Sequence, residues 1–249
     1  MKIVCPAKLR FLRGYLARAL LLLAFSAQIA FCSGLETFEH ALERYHIGLT
    51  KAALVEALAN PINEVRGLAA AQLATMKALD TLPDILRAAE DEKDPFTQAN
   101  IAAAATWMDS PKGMSILRDI CLDSGRPPYV RQNAARNLFD KGDHSCFYAM
   151  LELMQPNTDV DSRIGSAYML SQLRDKTEEE SKHILPLLLA SLNDPEIRIR
   201  LTACNALRSL NNPVAIEPLR TSLSYEREDT VRQQIQSTLN FLIKSSTPH

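Results

Sequence analysis

Residues 192–207 read Leu192-Asn193-Asp194-Pro195-Glu196-Ile197-Arg198-Ile199-Arg200-Leu201-Thr202-Ala203-Cys204-Asn205-Ala206-Leu207, and three features of that run decide the fold. Asp194-Pro195 is a breaker that opens a helix. Proline has no amide to donate and suits a first turn, while the acid before it accepts from freed amides. Next comes Ile199-Arg200, with small residues three and four places on, Ala203 and Cys204, and Leu207 at seven. On a helix these positions share a face, and small residues there let a second helix approach closely. Upstream, Leu187-Leu188-Leu189-Ala190-Ser191-Leu192 supplies that second helix, so the unit is a helical pair.

The pattern recurs along the chain. Val65-Arg66 is followed by Ala69, Ala70 and Leu73; Val130-Arg131 by Ala134, Ala135 and Leu138; Ser162-Arg163 by Ser166, Ala167 and Leu170; and Val231-Arg232 by Leu239. A degenerate copy stands at Thr97-Gln98. The anchors at 66, 98, 131, 163, 200 and 232 are separated by 32, 33, 32, 37 and 32 residues, a period that marks an internal repeat. The one long step holds Asp175–Lys182, which reads as a lengthened polar loop, with Glu178-Glu179-Glu180 solvated within it.

The quoted stretch resembles a HEAT repeat of the short type found in bilin lyases, and the likeness covers roughly residues 49–243. It implies an all-α fold, a right-handed α-solenoid of about six helical hairpins. In such repeats Arg66, Arg131, Arg163, Arg200 and Arg232 are expected to bond the loop acids or carbonyls of a neighbouring repeat, in register along one edge. The likeness is specific for fold and weak for function. It leaves open a regulatory or lyase-like subunit acting on a partner's cofactor.

The ends fit this reading. Residues 1–34 read as a secretory leader: Lys2, Lys8, Arg10, Arg13 and Arg18 flank the uncharged run Ala19–Phe31, which is short for a membrane span. Cleavage after Cys32 or after Gly34 fits equally, and a lipid on Cys32 is the tethered alternative. Residues 35–48 read as a capping helix with the stripe Leu35, Phe38, Leu42 and Tyr45 and a stop at Gly48. Residues 244–249 read as a disordered tail. The expected location is therefore periplasmic or secreted.

Charge narrows the partner. The chain has 28 basic and 29 acidic residues; without the leader's five bases the balance is 23 against 29, net −6. Without a basic stripe, nucleic acid is not the expected partner. Beyond the leader stand Cys121, Cys146 and Cys204. A bridge from Cys121 to Cys146 is conceivable, but three irregularly spaced cysteines read better as buried small apolar residues. The five histidines form no His-Glu dyad or metal spacing, and no nucleophile elbow or phosphate loop occurs, so neither catalysis nor a cofactor is expected.

What remains is surface. In each second helix, offsets three, four and seven from the anchor point inward, so offsets two, five and nine share the outer face. That face carries Asn100 and Trp107, then Asn133 and Arg136, then Tyr168, then Asn205. Aromatic and arginine anchors beside adaptable amides compose a recognition surface. The expected partner is a protein or extended peptide, with a membrane reached only through the leader.

Overall fold

The computed structural model describes residues 37–246. They form thirteen α-helices and, among the described residues, no strand. In chain order these are α1 (Phe38–Arg44), α2 (Lys51–Ala57), α3 (Asn63–Thr75), α4 (Leu82–Asp91), α5 (Pro95–Trp107), α6 (Pro111–Leu122) and α7 (Pro128–Phe139). They continue as α8 (Phe147–Glu152), α9 (Val160–Gln172), α10 (Glu178–Ser191), α11 (Ile197–Leu210), α12 (Ile216–Tyr225) and α13 (Asp229–Ser246). After α1 they stack as six pairs, and consecutive second helices pack on one another: α3 on α5, α5 on α7, α9 on α11, α11 on α13. The result is an α-solenoid.

The repeat positions build the core. Val65, Val130, Ile199 and Val231 are buried, as are Ala69, Ala70, Ala134, Ala135, Ala203 and Cys204 and the leucines at 73, 138, 170, 207 and 239. Each buried leucine contributes about 1.5–3 kcal/mol. Asp94-Pro95 opens its helix, Asp94 Oδ1 accepting from the Thr97 amide at 2.8 Å, and Ser110 Oγ and Asp159 Oδ1 cap in the same way, from Gly113 at 3.2 Å and Ser162 at 2.9 Å. Asp194-Pro195 does not: Asp194 Oδ1 accepts from the Glu196 amide at 2.9 Å in a turn, and Glu196 caps the helix that starts at Ile197. Glycine is required at 113. A Cβ there would stand 2.9 Å from Ala105 Cβ and 2.9 Å from the Thr106 backbone nitrogen, where α6 crosses α5. Gly113→Ala is therefore expected to cost about 1–3 kcal/mol by overpacking, measured by urea denaturation.

Four further expectations are corrected. The 175–182 segment is not a loop throughout: Glu178-Glu179-Glu180 is the first turn of α10, where acids favour the helix dipole. Thr177 Oγ1 accepts from the Glu180 amide at 3.1 Å while Glu180 Oε2 accepts from the Thr177 amide at 2.7 Å, a reciprocal cap. The added residues lengthen the helix upstream, so Pro186 falls inside it, fourteen positions before its anchor, as Pro218 does in the next repeat. At the front, α1 ends at Tyr45 and the left-handed residue is His46, φ 56°, rather than Gly48. Leu42 is buried and Tyr45 half-buried, while Leu35 and the leader with Cys32 lie outside the described residues. At the other end α13 runs on to Ser246, so residues 244–246 are helical. Finally, Cys121 and Cys146 are joined in a disulfide, Cα atoms 6.1 Å apart, linking the end of α6 to the start of α8. Cys204 is a buried thiol whose pKa burial pushes up to about 12.

Arg66, Arg131, Arg163 and Arg200 tie their pairs to the next, while Arg232, in the last pair, bonds within its own loop. Arg66 grips both oxygens of Glu92 (2.5 and 2.7 Å) and donates to the carbonyls of Asn60 and Pro61 (2.8 and 3.2 Å). Arg200 repeats this on Glu226 (2.8 and 3.0 Å) and on the carbonyls of Asp194 and Pro195 (2.9 and 3.2 Å). Arg131 donates to the Cys121 carbonyl at 2.9 Å and pairs with Glu152 at 3.3 Å; Arg163 pairs with Asp194; Arg232 donates to the Glu226 carbonyl at 3.1 Å. In the degenerate repeat Gln98 donates to the Ala89 carbonyl at 3.0 Å and accepts from Arg126 at 2.9 Å.

Candidate functional site

A hollow of about 640 Å³ opens on the face of the second helices α3, α5 and α7, with Phe38 of α1 at one end. Its lining mixes apolar side chains (Phe38, Leu68, Phe96, Trp107) with amides (Asn63, Asn100, Asn133, Asn137) and the charges Glu64, Asp94, Arg136 and Asp140. Of the six residues expected to face a ligand, Asn100, Trp107, Asn133 and Arg136 come together here. Tyr168 on α9 and Asn205 on α11 are exposed but lie outside the hollow. Ala71 and Ala103, at the same offset as Arg136, are buried at its floor.

The amides form one chain of hydrogen bonds. Trp107 Nε1 donates to Asn137 Oδ1 at 3.0 Å. Asn137 Nδ2 donates to the Asn133 carbonyl at 2.8 Å, and Asn133 Nδ2 to Asn100 Oδ1 at 2.7 Å. Two consequences follow. The indole, 45% exposed, has its only polar hydrogen satisfied, so it offers a partner ring surface alone. The Asn100 Nδ2 amide, at the far end, lies beside Gly67 in the hollow's lining and donates to no acceptor among the described residues. Linked amides of this kind are held in place before any ligand arrives.

Asn137 was missed because its offset, six, belongs to neither the inward set nor the outer set of positions. It is buried, and a polar residue one turn after Asn133 was the available signal. The charges at the α7 end are unpaired: neither Arg136 nor Asp140 makes an ion pair among the described residues. Burial pushes the Asp140 carboxyl above the ordinary carboxylate value, and the positive charges of Arg174 and Arg136 only partly offset it. Beyond α7 the same face leaves Tyr168 exposed, but several of its other polar side chains are partnered with one another. Arg198 pairs with Asp161 at 2.6 Å, Gln172 donates to Ser209 at 2.7 Å, Gln234 donates to Asn205 at 2.8 Å, and the Arg208 guanidinium lies 4.7 Å from the Phe241 ring centre. Among the described residues, no three of His, Cys, Asp and Glu gather where they could hold a metal ion.

Stacked helical pairs with an inward ladder of arginines define the class, a solenoid of α-helical repeats. The HEAT-repeat family profile matches residues 52–138 and 149–240, and the chain belongs to the HEAT-repeat family. A designed armadillo repeat protein is similar at 13% identity with a TM-score of 0.52, over 78% of this chain and 100% of that one. That likeness speaks for fold alone. An engineered protein (18% identity, TM-score 0.48, 78% and 96% covered) and human deoxyhypusine hydroxylase solved with glycerol (16%, 0.41, 78% and 84%) are also similar. No curated protein matches the chain.

Proposed function

We propose that the protein is a non-enzymatic scaffold that binds a protein segment or extended peptide in the α3–α5–α7 hollow, outside the cytoplasm. The observation carrying this reading is the contrast along one face. Apart from the exposed Tyr168, polar side chains of α9, α11 and α13 on this face are partnered with one another, whereas α3, α5 and α7 hold an exposed indole, an Asn100 amide without an acceptor and an arginine without an ion pair around an open hollow. Such groups are typical binding anchors, and an extended main chain supplies the acceptors that Asn100 and Arg136 lack. The Cys121–Cys146 bridge and the basic-then-apolar leader both support an oxidising, exported setting.

The test uses a pool of degenerate decapeptides on the purified chain, selecting the tightest binders. Trp107→Ala and Arg136→Ala are each expected to weaken the selected peptide by about 2 kcal/mol or more. Unfolding stability should move by roughly 0.5 kcal/mol for Arg136→Ala and by about 1–2 kcal/mol for Trp107→Ala, which leaves Asn137 Oδ1 without its donor. Tyr225→Ala, exposed on α12 away from the hollow, serves as the control and should bind normally. If Trp107→Ala instead unfolds the domain at several kcal/mol, the indole is packing and the site loses its main residue.

A further inference from the structure

Several observations fall on one place. The two stretches matching HEAT repeats end at 138 and resume at 149. Of the consecutive second-helix junctions, the one there, between α7 and α9, is the thinnest. A polar side chain spans it: Gln132 Nε2 donates to the Ser162 carbonyl at 2.6 Å and to Ser166 Oγ at 2.9 Å. It lies over Gly165, where a Cβ would come within 3.0 Å of the Gln132 amide. The connecting loop turns at Gly142, φ 76°, with open space around it.

Over a core that Leu138, Phe147, Met150 and Leu170 keep continuous, further polar ties cross the rim. Arg118 reaches Asp143 at 2.6 Å, His144 Nδ1 meets Glu180 at 2.9 Å and Arg131 meets Glu152 at 3.3 Å. Of these, Arg131–Glu152 has a solvent-exposed member and holds little, so the thin contact of α7 with α9 is the weakest point at which the stack can bend. One tie is different in kind: the Cys121–Cys146 bridge joins α6 to α8, the first helices of the two pairs that meet here.

We propose that the solenoid is jointed between α7 and α9 and that the Cys121–Cys146 bridge is the latch that fixes the joint. The latch matters to the hollow because α7 is its last wall. Arg174, beyond α9, is the foremost charge acting on Asp140 at that wall, so a change of angle moves a positive charge relative to the hollow's mouth. Closing the latch takes one hydrogen from each thiol and passes two electrons to a partner disulfide, which leaves as a dithiol. The joint is a property of the chain and stands whether or not the hollow's ligand is a peptide.

Amide hydrogen exchange tests this on three samples: bridged wild type, wild type reduced with dithiothreitol, and Cys121→Ala/Cys146→Ala. Opening the latch should speed exchange in residues 139–160 by about tenfold or more beyond the common acceleration that the lost global stability gives the α5 and α11 interiors. Small-angle scattering on the same samples should show a broader distribution of dimensions at unchanged helical circular dichroism. Unchanged exchange throughout overturns the proposal. So does equal acceleration in both halves or loss of helical signal, because the bridge would then be a general staple and no joint.

Discussion

Arg200→Ala is expected to cost about 3–5 kcal/mol, among the largest single losses in the chain. The arginine occupies both oxygens of Glu226 and two loop carbonyls, and the Glu226 side chain is only 7% exposed. Glu226 Oε1 also accepts from the amides of Arg227 and Glu228, at 3.0 Å each. Removing the guanidinium strands a buried carboxylate, whereas Arg200→Met with Glu226→Leu should regain most of the loss. The pH dependence follows from the same contacts. Burial acts to raise the Glu226 pKa, but the bonds from Arg200 and the two amides outweigh it and hold the group below its ordinary value. A folded-state pKa depressed in this way adds stability above the unfolded pKa, about 4.3, and that stability is lost as pH falls through the folded value. Denaturant titrations at pH 7 and at descending pH should show wild type losing this increment in acid and Glu226→Gln losing less. A cost below about 1 kcal/mol for Arg200→Ala would mark the pair as a surface ornament.

The second large effect concerns the bridge. It closes a loop between residues 25 apart in sequence, for which chain entropy gives about 3 kcal/mol. Bridged and reduced wild type should differ by that amount in denaturant titrations. Cys121→Ala/Cys146→Ala should match the reduced protein and ignore dithiothreitol. Indifference of the wild type to reductant would mean that the two thiols are not joined in solution.

The repeat was legible because its physics is local. A β-branched residue, an arginine and small residues at three and four lie within two turns of one helix, and they fall where the structure buries them. The arginines' partners were harder to read. Glu92 and Glu226 each stand 26 positions after their arginine, in the next pair, and a spacing does not show how a loop returns. The insertion moves the corresponding acid of Arg163 to Asp194, 31 positions on. The α10 start was readable in Thr177-x-x-Glu180, whose capping chemistry outweighs the polarity that suggested a loop. The bridge was not, since two cysteines 25 apart gain meaning only when packing sets their Cα atoms 6.1 Å apart. In the site, Trp107, Asn100, Asn133 and Arg136 followed from helical offsets. The exclusion of Tyr168 and Asn205 did not, because offsets fix a face and say nothing of where along the stack it is hollow.

A partner seated on the Trp107 side of the α3–α5–α7 hollow meets a built-in reporter, since Trp107 is the only tryptophan. The direct measurement is acrylamide quenching of its fluorescence with and without the selected peptide. The indole is 45% exposed in the free chain, so saturation should shift emission to the blue and lower the quenching constant by about half or more as water leaves the ring. A peptide that binds tightly and leaves both emission and quenching unchanged would place its site elsewhere and contradict the account.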